Sequence, residues 1–176
     1  MGGVEMKRWV LISLLFATGC SRPGGMAEAP VELRHLPLDS LEGIRAASGI
    51  TLDSAVSSDG KGSLRVDAAS ASVVPLFEVT DLNIDNAALI YQAHLQSEGL
   101  QGQAFLEMWV RIPGKGEFFS RGLDRPLSGT MSWATIATPF FLEAGQKPDL
   151  IRLNLVVNGT GKVWIDDIRL LRAPLR

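Results

Sequence analysis

From Val31 to the end of the chain, apolar residues recur in short runs at every second position, and no long stretch shows the spacing of a helix. In IRLNLVV, Ile151, Leu153, Leu155 and Val157 fall on one face, and Arg152, Asn154 and Val156 on the other. In QAFLEMWVRI, Ala104, Leu106, Met108, Val110 and Ile112 alternate with Phe105, Glu107, Trp109 and Arg111. Successive side chains of a strand point to opposite faces, so each run supplies one core face and one outer face. Strands are predicted near 31–36, 41–44, 63–67, 73–79, 88–96, 103–112, 134–142, 151–157 and 163–171, most of them bounded by Gly, Pro, Asn or Asp. NGTG, Asn158 to Gly161, reads as a hairpin turn. No internal repeat is found. Many short antiparallel strands imply an all-β fold, a single β-sandwich or jelly roll of two antiparallel sheets, and residues 31–176 have the length of one domain.

The N-terminus follows another logic. MKRWVLISLLFATGCS, Met6 to Ser21, has a basic start at Lys7 and Arg8, an apolar run from Val10 to Phe16, and small residues up to Cys20. The run is well short of the ~20 residues a membrane-spanning helix needs. The segment resembles a bacterial lipoprotein signal peptide, with Ala17 where leucine is more usual. That resemblance implies a signal helix over residues 1–19, removal of that segment, and lipidation of Cys20. Cys20 is the only cysteine, so no internal disulfide can form. Residues 20–30, with SRPGGMAEAP rich in Gly, Pro and Ala, then read as a flexible tether. The expected location is the bacterial cell envelope, on a membrane surface at the outer membrane, in the periplasm or at the cell surface.

Without residues 1–19 the chain loses two of its 17 basic and one of its 19 acidic residues, leaving 15 and 18 and a net charge of −3. With no Lys/Arg cluster, nucleic acid is not an expected partner. Motifs for a serine nucleophile elbow, a zinc protease or a phosphate loop are missing, and His35 and His94 lie far apart in sequence. The chain is not expected to be an enzyme. A carbohydrate-active enzyme remains the weaker alternative, because glycosidases need only two suitably spaced carboxylates.

GKVWIDDIRLL, Gly161 to Leu171, poses a separate problem. Strict alternation places Trp164, Asp166, Ile168 and Leu170 on one face and Val163, Ile165, Asp167 and Arg169 on the other. One aspartate then sits among apolar groups, where an unpaired carboxylate costs several kcal/mol. Asp166 needs a partner: a cation, a basic side chain such as Arg65, or backbone N–H groups.

DGKGSLRV (Asp59 to Val66) and the stretch from Trp133 to Leu171 resemble the β-jelly-roll domains of the galactose-binding-like superfamily, especially carbohydrate-binding modules. LDSLEGI, Leu38 to Ile44, resembles their opening acidic segment, with Leu41 in place of an aromatic. The resemblance implies a structural Ca2+ held by Asp166, by Glu42 or Asp39, and by the loop from Asp59 to Gly62. Scattered carboxylates and carbonyls suit calcium, which takes six to eight oxygens. Hydrogen bonding of Asp166 to backbone or to a basic residue is the equal alternative. DLNIDN, Asp81 to Asn86, lacks the glycine and glutamate of a calcium-binding EF-hand loop and reads as a polar loop.

For a carbohydrate ligand, the outer face of QAFLEMWVRI offers the indole of Trp109 for stacking, beside Glu107 and Arg111 for hydroxyl groups. Gln92 and His94 on one neighbouring strand, and Arg152 and Asn154 on another, are expected to join that surface, with Arg121 reaching it from a loop. Packing of Trp109 under a loop, with Glu107 and Arg111 as an ion pair, is the alternative. Trp133, Trp164, Phe118, Phe119, Phe140 and Phe141 are assigned to core or edge packing. The expected function is a membrane-anchored, non-catalytic carbohydrate-binding jelly roll; the alternative is a module that docks to an envelope protein.

Overall fold

The computed structural model describes residues 28–175, and all regular structure in it is β. The proposed signal peptide, Cys20 and most of the tether lie outside the described residues. The strands are β1 (Val31–Leu36), β2 (Ile50–Asp53), β3 (Ser63–Ala68), β4 (Ser72–Val79), β5 (Ala87–Ile112), β6 (Gly116–Arg121), β7 (Leu127–Leu142) and β8 (Leu150–Ala173).

Two long strands organise the molecule. β5 and β8 pair antiparallel from Ala88↔Ala173 to Arg111↔Leu150, and both bend where the register shifts between Glu98 and Gln101. Glycine permits the bend. A Cβ on Gly159 would stand 1.9 Å from the Gln101 carbonyl oxygen, and one on Gly102 2.2 Å from that of Asn158. Both glycines also have positive φ. Beyond the bend, β6 pairs with β5 and β4 with the first half of β8, giving the order β6-β5-β8-β4. Before it, β7 flanks β5, while β3 and β1 pair with successive parts of β8 and β2 pairs with β3. The two halves form the antiparallel layers of a β-sandwich. Leu106, Met108, Val110, Leu153 and Leu155 of one layer and Leu89, Tyr91, Leu95, Ile165 and Leu170 of the other share a single buried core.

The bend corrects the first of several expectations. NGTG is not a hairpin turn: it continues β8 and lies against Gln101 to Gln103 of β5. The predicted strands 88–96 and 103–112 are one strand, as are 151–157 and 163–171. Leu41–Ile44 is a turn rather than a strand, closed by Ile44 N–H donating to the Leu41 carbonyl, with Gly43 at φ 75°. β2 and β6, of four and six residues, were not predicted as strands. DLNIDN is a loop as expected, although Leu82 and Ile84 within it are buried.

A β-bulge explains the two aspartates. Asp167 has φ 47°, and the β5–β8 register shifts between the pairs Gln92↔Arg169 and His94↔Asp166. The shift reverses the alternation, so Val163, Ile165, Ile168 and Leu170 all enter the core. Trp164 and Asp166 face away from it and are buried, 4% and 0% exposed, and both bond to β2 or to the loop that follows it. The expected sharing of a face by Asp166, Ile168 and Leu170 does not occur.

Candidate functional site

The outer face of the β6-β5-β8-β4 layer carries a groove of about 520 Å3 lined by Val73, Pro75, Glu107, Trp109, Glu117, Arg121, Arg152 and Asn154. Register builds it in rows across the strands. Glu107 lies between Arg121 on β6 and Asn154 on β8, and Trp109 lies between Phe119 on β6 and Arg152 on β8. Alternation keeps their in-line neighbours, Leu106, Met108 and Val110, in the core.

Glu107 forms the floor. It is 3% exposed, and its Oε1 accepts hydrogen bonds from Trp109 Nε1 at 2.8 Å and Asn154 Nδ2 at 3.1 Å. Its Oε2 accepts from Arg121 Nε at 2.7 Å. Burial by itself would push this carboxyl up. The bonds from Arg121, Trp109 and Asn154 and the Arg121 charge together outweigh burial, and hold it below the usual carboxylate range. Glu107 is therefore a fixed anion that orients an indole, a guanidinium and an amide.

Above that floor the aromatic groups are accessible. Phe119 is 52% exposed, Trp109 is half-buried, and their ring centroids are 5.2 Å apart at 47°. Arg121 stands over the Phe119 ring at 4.6 Å, and Arg152 over the Trp109 ring at 6.0 Å. Arg152 crosses β5 to pair with Glu117 on β6, so this ion pair straps the indole. Arg111 pairs with Asp149 at 2.8 Å, not with Glu107. The alternative of a Glu107–Arg111 pair under a packed Trp109 does not describe this face. Each arginine here has its own carboxylate, so the groove has no excess charge.

Of the expected ligand residues, Trp109, Glu107, Arg121 and Asn154 converge, Arg121 from strand β6 rather than from a loop. Arg111 pairs with Asp149 next to them. Gln92 and His94 lie on the other side of the β5 bend, in the second layer, and do not join the groove. Arg152, also expected on this surface, joins the groove, Glu117, Val73 and Pro75 complete the lining, and Phe119 lies beside Trp109. The assignment of Phe119 to packing is corrected, as is that of Phe141, 64% exposed, whereas Phe118 packs at the sheet edge against Phe140, with ring centroids 6.5 Å apart. The missed signal was EFFSR, in which Glu117, Phe119 and Arg121 alternate as Glu107, Trp109 and Arg111 do.

The acids expected to hold calcium are dispersed. Asp39, Glu42 and Asp59 are exposed, and among the described residues no three His, Cys, Asp or Glu side chains are placed to hold a metal ion. Asp166 Oδ2 accepts from Ser58 N and Oγ, both at 2.7 Å, and its Oδ1 from Asp167 N at 2.8 Å. Three donors directed at one carboxylate satisfy a buried anion, and they surround it with hydrogens where a cation needs oxygens. The residues present do not fit calcium. Of the partners considered for Asp166, backbone and hydroxyl donors are the ones found.

The two histidines, distant in sequence, meet at Asp167. His35 Nε2 lies 2.6 Å from Oδ1, and His94 Nδ1 lies 3.9 Å from Oδ2 and 3.0 Å from Ser58 Oγ. Ser58 donates its proton to Asp166 and so accepts from His94 Nδ1–H. That polarity is opposite to an activated nucleophile, in which the imidazole takes the serine proton.

Neither a family model nor a curated protein sequence matches this chain. Solved structures do. The CBM22-1 xylan-binding domain of Paenibacillus barcinonensis Xyn10C superposes with a TM-score of 0.59 at 14% identity, covering 86% of this chain and all of that one. The CBM22-1–GH10 modules of Clostridium thermocellum xylanase 10B, complexed with xylohexaose, give 0.60 at 14% identity over 80% of this chain and 28% of that one. The Stig cyclase Fisc of Fischerella sp. TAU gives 0.53 at 12% identity over 88% and 93%. At these identities the likeness is one of fold. Strand order, shared bends and these neighbours agree on a β-jelly roll, a fold found in xylan-binding modules and in the cyclase alike.

Proposed function

We propose that the protein is a non-catalytic carbohydrate-binding module held at the bacterial cell envelope through a lipid on Cys20. The observation that carries the ligand class is the groove: the half-buried Trp109 indole, with the exposed Phe119 ring beside it, supplies aromatic surface for the apolar face of a sugar, next to Arg121 and Asn154, which Glu107 holds in place. The fold of the xylan-binding neighbours supports the same reading. Catalysis gains no support from the groove acids. Glu107 is held as an anion, and Glu117 is paired with Arg152, so neither is poised as a proton donor to a glycosidic oxygen. The anchor rests on the lipoprotein-like segment ending at Cys20.

Affinity electrophoresis of the detergent-solubilised chain against a panel of polysaccharides tests the first half. Retardation that Trp109→Ala removes, with an unchanged circular dichroism spectrum, is expected. Failure to bind any polysaccharide would redirect the search to an envelope protein partner. For the anchor, Cys20→Ser should shift the chain from the membrane fraction to the soluble one.

A further inference from the structure

The groove does not end at Glu107. One step further along the strands, Val73 on β4, Val156 on β8 and Phe105 on β5 pair side by side as an apolar row. They line a second open hollow of about 380 Å3, which Arg121 and Val73 share with the first. Val73 is 54% exposed and Val156 half-buried, while Phe105 lies at the base, 7% exposed. The row has no hydrogen-bonding side chain to offer the hydroxyls of a sugar, and an apolar substituent matches it.

Arg121 fixes what else that substituent carries. Its Nε is committed to Glu107, and among the described residues its Nη1 and Nη2 make no side-chain hydrogen bond. Arg121 lines both hollows, with its guanidinium over the Phe119 ring at 4.6 Å. A group that fits both needs an acceptor oxygen next to a methyl or short alkyl. It is also uncharged, because Arg121 already has Glu107 as its counter-ion and an added carboxylate would sit close to that buried anion.

Building on the carbohydrate reading, we propose that the groove selects a neutral glycan bearing O-acetyl groups: the acetyl methyl contacts Val73, Val156 and Phe105, and its carbonyl accepts from Arg121. Trp109 and Phe105 are four residues apart on β5, roughly 13–14 Å at the rise of a strand. One monosaccharide cannot reach both, so the acetylated unit lies further along the chain than the unit stacked on the indole.

The probes are acetylated xylan oligosaccharides and acetylated glucomannan oligosaccharides, each compared with its alkali-deacetylated counterpart by calorimetry on the detergent-solubilised full chain. At least one acetylated probe should bind about tenfold more tightly than its counterpart, the discrimination a methyl-sized group gives in an apolar site. Val156→Thr, outside the core and lining only the second hollow, should reduce that preference towards one while leaving affinity for the deacetylated chain unchanged, and Val73→Ser, which lines both hollows, should reduce the preference as well. Equal binding of both forms would overturn the acetyl assignment and leave carbohydrate binding standing. So would a preference that survives both substitutions. Binding of neither form of either glycan would count against the carbohydrate reading, and the acetyl assignment would fall with it.

Discussion

Glu107 shows how one residue sets the chemistry of the groove. Its carboxylate is almost wholly buried, and three donors that would otherwise be free to turn are held by it. Glu107→Gln keeps the shape, removes the charge and places an amide N–H among donors. We expect ligand affinity to fall about tenfold, because Arg121 and Trp109 lose their fixed orientation. The stability cost should be about 1–2 kcal/mol, at the low end for a buried pair because Arg121 is 42% exposed. Acid behaviour follows from the sign of the shift. The folded-state pKa lies below the ordinary value, despite burial, so this stabilisation is present above about pH 4.5 and lost as pH falls through the folded value. A series of melting temperatures from about pH 6 down to pH 3 should fall less steeply at its acid end in Glu107→Gln. Tyr91 is the opposite case. Its hydroxyl is buried with no hydrogen-bond partner among the described residues, and burial pushes the phenol far up. Removing an unsatisfied polar group recovers desolvation energy, so Tyr91→Phe should raise stability by about 1 kcal/mol in urea titration. A loss of stability would mean that the hydroxyl has a partner in solution.

At the scale of the strand, the glycine-rich crossing of β5 and β8 decides which side chains meet. A methyl group on Gly159 would collide with the Gln101 carbonyl, and backbone cannot rotate aside as a side chain can. Gly159→Ala should cost more than about 4 kcal/mol or prevent folding. Gly99 lies in the same bend with φ 59° but has nothing within 4 Å of its Cβ position, so Gly99→Ala should cost only about 1 kcal/mol of backbone strain. Equal losses in chemical denaturation of the two variants would refute the close-crossing account. The same crossing marks the limit of what the sequence made legible. Period-two alternation revealed segments of both long strands and placed Glu107, Trp109 and Asn154 on one outer face, since a face is a local property, whereas Arg121 was expected from a loop and stands on β6. Whether NGTG turns back or runs on depends on Gln101 to Gln103, more than fifty residues earlier, and no local pattern encodes that. Gln92 and His94 were placed on the groove for that reason. The Asp166–Asp167 bulge was hidden likewise: strict alternation predicted the wrong face, and only the pairing with β5 shows where the count slips.

At the scale of the molecule, β5 and β8 pass through both layers, so the two layers are expected to melt together. The four acids expected to bind calcium do not form a metal site: Asp39, Glu42 and Asp59 are exposed and dispersed, and Asp166 is satisfied by Ser58 and Asp167. Saturating chelator should leave the melting temperature within about 1 °C of its value with calcium, whereas a folded-state metal would give a larger drop. Bound ligand should behave differently. At a free concentration of ~100 Kd, a groove ligand adds about 2.7 kcal/mol to the folded state. For a domain of this size each kcal/mol is worth roughly 2–4 °C, so the melting temperature should rise by roughly 5–10 °C. The location of the shift is more informative than its size. Trp109 reports on the groove and Trp164, hydrogen-bonded to Asp53, on the far layer. If the long strands couple the layers, Trp109→Phe and Trp164→Phe variants, each reporting through the remaining tryptophans, should melt in single transitions that coincide with circular dichroism. Ligand should move the Trp164-containing variant as a whole, phenylalanine keeping an aromatic face for stacking. A ligand-stabilised groove beside an unshifted Trp164 signal would mean that the Gly102–Gly159 crossing is a hinge between separately folding layers rather than the joint that makes them one.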